Sequence, residues 1–278
     1  MKFGTFHFPT HYGIDIAELA KALEDRGFES LFVCEHTHIP VSRRTPFPGG
    51  GDLPDRYYHT YDPFVGLSFA AAATETLRLG TGICLLPQHD PIVTAKATAT
   101  LDLLSGGRFE FALGAGWNAE EMENHGVEYH TRFKVMEDKI KAIKALWTEE
   151  HAQYHGPFVD FDPVISSPKP AQSPHPPVLF GGETDHTLKR VVQLGDGWFP
   201  RAGPKFEPAE GMARLKRIAE EHDRKPSDFT VSVFRAPPDA AALESCREAG
   251  IDRVLFDVPD EGRDAVLELL DKYAKLIE

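Results

Sequence analysis

The feature that most constrains this chain is a repeated unit in which an amphipathic helix ends at a glycine and a short apolar strand follows. Residues 15–26 form the first such helix, which ends at Gly27 before the apolar run 28–33. The unit recurs with helices at 92–104, 185–194 and 239–248, which end at Gly106, Gly195 and Gly250. Glycine just past a helix supplies the left-handed residue that stops it, and helices that alternate with strands indicate parallel βαβ units.

Extending this pattern predicts eight strands, near residues 2–8, 29–34, 78–83, 108–114, 177–180, 197–200, 229–234 and 251–257. A helix follows each strand, and the last helix is predicted at 261–276. Eight such units in 278 residues favour a closed (β/α)8 barrel, or TIM barrel, over an open doubly wound sheet, because α/β barrels of about 250 residues form one domain. We therefore predict an α/β fold in which residues 1–278 form a single barrel domain.

Two stretches exceed the minimal unit. Residues 35–61 form a long connection rich in proline and glycine, and residues 151–176 form an insertion that begins as a short hairpin near 154–158. Long loops in compact domains are usually active-site lids or mobile segments. Because 35–61 starts at the carboxyl end of a strand, the active face of a barrel, we interpret it as a substrate lid; the alternative is a mobile surface loop.

Charge and cysteine usage limit the partners and the compartment. With 30 basic and 43 acidic residues the net charge is −13, which argues against nucleic acid and anionic membranes as partners. There is no run of about 18 apolar residues and no signal-peptide pattern, so no membrane partner is expected. Three scattered cysteines cannot all pair within the chain, which favours a reducing cytoplasm. They are Cys34, Cys84 and Cys246.

Candidate site residues follow the strands, since barrel chemistry lies at strand carboxyl ends. His36 is a candidate general base or hydrogen-bond donor, with Glu35 able to orient or tune it. The alternative is a rim histidine, because the chain has 13 histidines. Gly181 and Gly182 open a helix whose free N–H groups could hold a phosphate, and Arg201 could face the same anion; the alternative is an ordinary turn.

Several motifs resemble the luciferase-like monooxygenases, and most closely their coenzyme F420-dependent branch. They are Leu-Gly-Thr-Gly-Ile at 79–83, Leu-Asp-Leu-Leu-Ser-Gly-Gly-Arg at 101–108, Gly-Ala-Gly-Trp at 114–117 and Leu-Gly-Asp-Gly-Trp at 194–198. The resemblance covers most of residues 1–200 and weakens after that. It implies a luciferase-like TIM barrel that binds a deazaflavin or flavin at the carboxyl ends of its strands.

The resemblance also assigns roles to residues. It implies that His36 is the active-site histidine and that a cis peptide between Gly82 and Ile83 lies behind the cofactor ring. The remaining implied cofactor contacts are Ala115, Gly116, Trp117, Asn118, Gly181, Gly182 and Arg201. Two departures stand out. Trp117 replaces the catalytic glutamate of the sugar-phosphate dehydrogenases in this family, which indicates a more apolar pocket, and the pair at 35–36 is Glu-His where relatives have Asp-His.

These observations support one main hypothesis and three alternatives. The main hypothesis is an F420-dependent oxidoreductase that transfers a hydride to or from a small organic substrate, with His36 as proton shuttle or substrate hydrogen-bond partner. The close alternative is an FMN-dependent monooxygenase. A metal-dependent barrel hydrolase would use His36, His38 and Asp257, but too few ligands converge and we predict no metal site. A non-catalytic cofactor-binding protein is the third alternative.

The substrate itself is only loosely defined by the sequence. Aromatic residues of the 35–61 loop, Phe47, Tyr57 and Tyr58, favour an apolar or carbonyl-bearing small molecule. Dimers are common among such relatives, which makes a homodimer a candidate assembly.

Overall fold

The computed structural model describes residues 1–203 and 206–277, in which strands and helices alternate along the chain. The strands are β1 (Lys2–His7), β2 (Ser30–Val33), β3 (Arg78–Thr81), β4 (Cys84–Leu85), β5 (Phe109–Gly114), β6 (Ala152–His155), β7 (Asp160–Val164), β8 (Val178–Gly181), β9 (Gly197–Phe199), β10 (Thr230–Phe234) and β11 (Arg253–Val258). The α-helices are α1 (Ile16–Asp25), α2 (Arg56–His59), α3 (Pro63–Ala73), α4 (Pro91–Leu104), α5 (Ala119–Asn124), α6 (Arg132–Thr148), α7 (Asp185–Leu194), α8 (Pro208–Glu220), α9 (Ala240–Glu248) and α10 (Arg263–Ile277).

The main sheet closes on itself. Its order is β3-β2-β1-β11-β10-β9-β8-β5-β4, and β3 also pairs with β5. All of these pairings are parallel. Because β3 and β4 are consecutive halves of one barrel strand, the nine segments form eight barrel strands. This confirms the predicted (β/α)8 barrel. The halves are separated by Gly82 and Ile83, whose peptide is cis, as the resemblance predicts.

Helix boundaries follow from local capping. Aspartate or threonine side chains accept backbone N–H groups at the starts of five helices and so satisfy donors that the helix leaves unpaired. These capping residues are Asp15, Asp62, Asp90, Thr184 and Asp239. Gly27, Gly106 and Gly250 are left-handed, with φ of 78°, 69° and 80°, as the helix-ending role requires. The same expectation was wrong for Gly195, which ends α7 with φ of −106° in extended backbone.

The apolar core has two layers. Inside the barrel, Phe6, Phe32, Phe199 and Leu255 belong to one buried cluster. A larger cluster lies between the barrel and the surrounding helices and includes Trp147 of α6. These two layers are the expected arrangement of a barrel whose interior is filled by side chains, so that ligands bind at its mouth and not along its axis.

Four charged residues, which we call the barrel plug, close the amino-terminal end of the barrel: Glu29, Arg78, Glu110 and Arg253. Arg253 is only 2% exposed and donates to Glu110 at 2.8 and 2.9 Å and to Glu29 at 2.7 and 2.9 Å. Arg78 also donates to Glu110. Burial raises the pKa of Glu110, but Arg253 and Arg78 outweigh it and lower that pKa to about 2.

Both long connections lie where the sequence predicts. The insertion contains an antiparallel hairpin, β6 with β7, followed by irregular chain to Pro177. Gln172 fixes this irregular part by donating to the buried Asp102 of α4 at 2.6 and 2.9 Å. The 35–61 connection contains only the short helix α2. Among the described residues, no helix combines the length and the apolar character that crossing a membrane requires.

Candidate active site

A cavity of about 390 Å³ opens at the carboxyl ends of the barrel strands. Ten of the eleven predicted site residues line it, namely Glu35, His36, Gly82, Ile83, Ala115, Gly116, Trp117, Gly181, Gly182 and Arg201. The eleventh, Asn118, is buried at the residue before α5 and does not line the cavity. A larger cavity of about 620 Å³ lies at the amino-terminal end beside the barrel plug. We assign the site to the carboxyl end, because barrel enzymes carry their chemistry there and the plug arginines are already paired.

His36 is held by a carboxylate that the sequence analysis missed. Its Nδ1 lies 2.8 Å from Oε2 of Glu121, a fully buried residue of α5. The other oxygen of Glu121 accepts the backbone N–H of Thr37 at 3.2 Å. The rings of Tyr57 and Trp117 lie 5.2 and 5.8 Å from the imidazole and restrict its rotation. Since Nδ1 is occupied, Nε2 is the nitrogen that remains available to a ligand in the cavity.

The prediction that Glu35 orients His36 is wrong. One oxygen of Glu35 accepts the backbone N–H of Leu85 at 2.5 Å, and the other lies 2.5 Å from Nε2 of His89. Burial lowers the pKa of His89, but the bond to Glu35 outweighs it and raises that pKa. The side chain of Glu35 therefore forms a charged pair with His89, away from the imidazole of His36.

Glu35 and His89 also share a small cluster with Cys84. Their ligand-type atoms lie within 4.8 Å of one another, a spacing that could hold a metal ion. The absence of a metal site therefore stays a prediction. The ligands of the metal-dependent hydrolase hypothesis do not converge. The side chain of His38 bonds to Thr37 and Asn124, and Asp257 pairs with Arg235.

The floor of the cavity is apolar and glycine-rich. Ile83 lies across it, and a Cβ added to Gly114 would stand 2.1 Å from Cδ1 of Ile83. A Cβ on Gly181 would approach Ile83 to 3.3 Å. Glycine at these strand ends therefore lets Ile83 spread over the barrel end, and this surface fits one face of a planar ring.

One rim of the cavity suits an anion. Gly182 has φ of 120° and precedes α7, whose first turn presents free N–H groups. The hydroxyls of Thr184 and Thr187 lie 3.2 Å apart in this turn, and both residues line the cavity, although the sequence analysis did not identify them. Arg201 is exposed at this rim, and its backbone N–H donates to the Glu183 carboxylate at 2.9 Å.

The 35–61 loop supplies the outer wall. Phe47 and Tyr57 line the cavity, with ring centroids 5.3 Å apart, and Phe47 lies 5.9 Å from Trp117. Tyr58 is 48% exposed and does not line this cavity, so only two of the three predicted loop aromatics do so. Glu120, the neighbour of Glu121 on α5, holds this loop in place, because its carboxylate accepts the backbone N–H of Thr45 at 2.9 Å.

Glu121 was missed because its sequence signal has a simpler explanation. Acidic residues in the first turn of a helix are common, since they complement the helix dipole. Glu120 and Glu121 occupy that turn directly after the Gly-Ala-Gly-Trp-Asn run. Only the path of the chain around the barrel shows that one carboxylate holds the loop and the other holds His36.

The fold and this cavity define a TIM-barrel protein whose carboxyl end carries a flat apolar floor and, at one rim, the start of α7. Residues 1–257 match the family profile described as luciferase-like monooxygenase. The chain belongs to that family, whose members are oxidoreductases and monooxygenases.

Some of the proteins that are similar to this chain name a cofactor, which is FMN in one case and F420 in another. An uncharacterized protein of Mycobacterium tuberculosis is 39% identical, over 99% of this chain and 98% of its own length. The FMNH2-dependent dimethylsulfone monooxygenase of Pseudomonas putida is 33% identical, over 54% of this chain and 43% of its own length. Among solved structures, the monooxygenase RslO1 of Streptomyces bottropensis has a TM-score of 0.81 at 20% identity, covering 100% of this chain and 98% of that one. An F420-dependent secondary alcohol dehydrogenase, solved with an F420-acetone adduct, has a TM-score of 0.78 at 18% identity, covering 99% and 97%.

Proposed function

We propose that this protein transfers a hydride between coenzyme F420 and a small organic substrate, and that His36 exchanges the accompanying proton. The observation that carries the proposal is the buried pair of His36 and Glu121 at the wall of a cavity with a flat apolar floor. A histidine fixed through Nδ1 by a carboxylate offers Nε2 for proton transfer, and the carboxylate stabilises the imidazolium that forms.

In the proposed reaction an alcohol and a carbonyl compound are interconverted, and the residues of the cavity have separate roles in it. When bound, the deazaflavin supplies the acceptor or donor of the hydride. Nε2 of His36 takes the hydroxyl proton of an alcohol as the hydride leaves its carbon, or returns a proton to the oxygen of a carbonyl in the reverse direction. Trp117 and the aromatic residues of the 35–61 loop exclude water from this step.

The cavity fits a cofactor with a planar ring and an anionic tail. We propose that the ring lies on Ile83 and the 114–117 turn, with Ala115, Gly116 and Trp117 along its edge. The tail lies at Gly181, Gly182 and Thr184, where the start of α7 favours negative charge, with Arg201 beside it. Gly82, between β3 and β4, belongs to the same floor, while Asn118 lies buried before α5 and its side-chain amide has no hydrogen-bond partner among the described residues.

FMN is the second candidate, and the relative from Pseudomonas putida favours it, since its name states FMNH2 dependence. Under this alternative the protein is a monooxygenase that uses reduced FMN. The apolar floor under the ring and the rim that suits an anion serve either cofactor. The first candidate takes its support from the F420-dependent alcohol dehydrogenase, which is similar to this chain over nearly the full length of both chains, as the monooxygenase RslO1 is too.

Parallel titrations with F420 and FMN, followed by absorbance and by calorimetry, test the proposal. We expect F420 to bind more tightly, and binding of FMN alone would contradict the F420 assignment. His36→Ala should leave the F420 dissociation constant within a few-fold but lower turnover by about 100-fold or more, the usual contribution of a positioned acid or base. If turnover survives and only affinity falls, His36 is a binding residue and not a proton carrier.

A further inference from the structure

An aromatic wall runs through the cavity away from His36. The Tyr57 ring lies 5.2 Å from the imidazole and 4.7 Å from the ring of Phe8. Phe8 lies 5.9 Å from Phe6, and Phe6 stacks on Phe234 at 4.9 Å. All of these rings line the cavity. The site therefore has room for an apolar body that extends from the proton-exchanging histidine towards the end of β10.

A positively charged side chain, that of Arg235, lies at the end of this aromatic wall. Arg235 follows Phe234, lines the cavity and places its guanidinium carbon 5.8 Å from the Phe6 ring centroid. Its backbone has φ of 58°, in the left-handed region that a residue with a Cβ rarely adopts. Outliers of this kind persist where the surrounding structure enforces them, and they cluster at ligand sites.

The guanidinium of Arg235 is paired only loosely. It lies 3.3 and 3.4 Å from the two oxygens of Asp257, which also faces Arg56 at 3.6 Å. Charge-assisted N–H···O bonds are normally about 2.7–2.9 Å long. The buried bonds of Arg253 to Glu110, at 2.8 and 2.9 Å, show that tight pairing occurs elsewhere in this protein. Asp257 is thus shared between two cations, and Arg235 keeps the capacity to bind another anion.

The Tyr57 hydroxyl lies in the field of the same cations. Burial raises the pKa of Tyr57, while the positive charges of Arg235, Arg56 and Arg201 oppose that rise. Tyr57 lines the same cavity as Arg235 and Arg201, so its hydroxyl is a suitable hydrogen-bond donor to an oxyanion bound there. Asp257 and Asp260 lie 3.6 and 4.0 Å from Arg56, and their negative charges would repel a dianion more than a monoanion. The Glu183 carboxylate holds the Arg201 backbone at the α7 rim.

We propose that the substrate is an apolar carboxylate, whose acid group binds to the Arg235 guanidinium and the Tyr57 hydroxyl while its alcohol or carbonyl group reaches His36. This inference rests on the proposed function and names the substrate class of the same site. The planar guanidinium matches the two oxygens of a carboxylate, and the aromatic wall accounts for the body between the two polar ends.

Calorimetric titration of the full chain with three matched probes tests the proposal without turnover. The probes are 3-phenylpropanoate, its neutral amide 3-phenylpropanamide, and 2-phenylethyl phosphate. We expect the carboxylate to bind at least about 10-fold more tightly than the amide, because a hydrogen bond to a charged group contributes about 1.5–3 kcal/mol. Arg235→Met should abolish that preference, and Tyr57→Phe, which keeps the ring in the aromatic wall, should reduce it several-fold.

Arg263→Met is the matched control, since this arginine is exposed at the start of α10 and pairs with Glu18. It should leave all three affinities unchanged. Equal affinities for carboxylate and amide, no binding of either, tighter binding of the phosphate, or a preference that survives both variants would overturn the proposal. A separate F420 titration distinguishes the two hypotheses: failure of F420 to bind, with the carboxylate preference intact, removes the cofactor assignment and leaves the anion site.

Discussion

At the scale of single residues, the candidate chemistry depends on one buried carboxylate. Glu121 is fully buried and bonds to Nδ1 of His36, so it fixes the orientation of the ring and faces the charge that proton uptake would create. In metal sites, the outer partners that orient a ligating histidine change metal affinity or activity by about 10–100-fold when they are removed, and we expect the same range for this carboxylate–histidine pair. Glu121 touches neither cavity nor substrate and is therefore a positioning residue.

Glu121→Gln should lower kcat by about 10–100-fold with little change in KM, because the amide keeps the shape but not the charge that stabilises the imidazolium. The measurement is the pH profile of kcat, in which the limb that depends on His36 should move. Glu123→Gln on the same helix is the control, since Glu123 is exposed and pairs with Arg44 at the surface. A kcat profile that coincides with that of the control would show that Glu121 only supports the fold.

At the scale of elements, α5 and α7 shape the cavity from their first turns. In α5, Glu120 fastens the 35–61 loop while Glu121 holds His36, so one short helix positions both the wall and the proton carrier. Burial raises the pKa of Glu120, but its hydrogen bonds from Thr45 outweigh this and lower the pKa to about 2, so the carboxylate stays charged at neutral pH. The start of α7 forms the rim that suits an anion, at Gly182.

Gly182→Ala should weaken F420 binding by about 10-fold or more and reduce the free energy of unfolding by about 1–3 kcal/mol. At φ of 120° a side chain is strained, and the added Cβ would lie 2.8 Å from Oγ1 of Thr187, inside the proposed tail site. Gly250→Ala is the matched control, because Gly250 has φ of 80° and open space around its Cβ position. Fluorescence titration measures the affinity, and an affinity equal to that of the control would remove the tail from α7.

At the scale of the whole molecule, the two ends of the barrel have different roles, one in ligand binding and one in stability. The carboxyl end carries the cavity, while the amino-terminal end is closed by the barrel plug. In the plug, Arg253 joins Glu110 of β5 to Glu29 ahead of β2, so the plug links distant parts of the chain. Breaking a buried ion pair by removing one partner is strongly destabilising, because the other charge is left buried without compensation.

Glu110→Gln should reduce the free energy of unfolding at pH 7 by about 3–5 kcal/mol. The pKa of Glu110 is about 2 in the folded protein and near 4.5 otherwise, so its stabilisation is complete above about pH 4.5 and is lost as pH falls towards about 2. Urea unfolding from pH 7 to pH 3 should therefore show the difference between wild type and variant shrinking. Glu268→Gln, which removes an exposed pair with Lys272, should change stability by less than about 1 kcal/mol. A pH-independent difference would contradict this role for Glu110.

The eight barrel strands, their order and the long helices between them can be predicted from the sequence, whereas the division of the third strand into β3 and β4 and the short helices α2 and α5 cannot. Helix caps such as Asp15 and Asp90, and left-handed glycines such as Gly27 and Gly250, act within one turn of the chain, so their effect is readable without the fold. Eight alternating units then leave few closed arrangements, and the barrel follows from them. Ten of the eleven predicted site residues share one cavity for the same reason, because parallel strands present their carboxyl ends at one face.

The contacts between side chains in the cavity follow from the tertiary structure and not from the sequence pattern. Glu35 adjoins His36 in sequence yet pairs with His89, while the partner of His36 is Glu121, 85 residues away. Neighbouring residues at a strand end point to different sides, so adjacency favours no contact between them. The proposed Arg235 site likewise combines Tyr57 of the 35–61 loop with the residue that follows β10, since both line the same cavity. Such contacts depend on how helices and loops pack around the closed barrel, which no local pattern encodes.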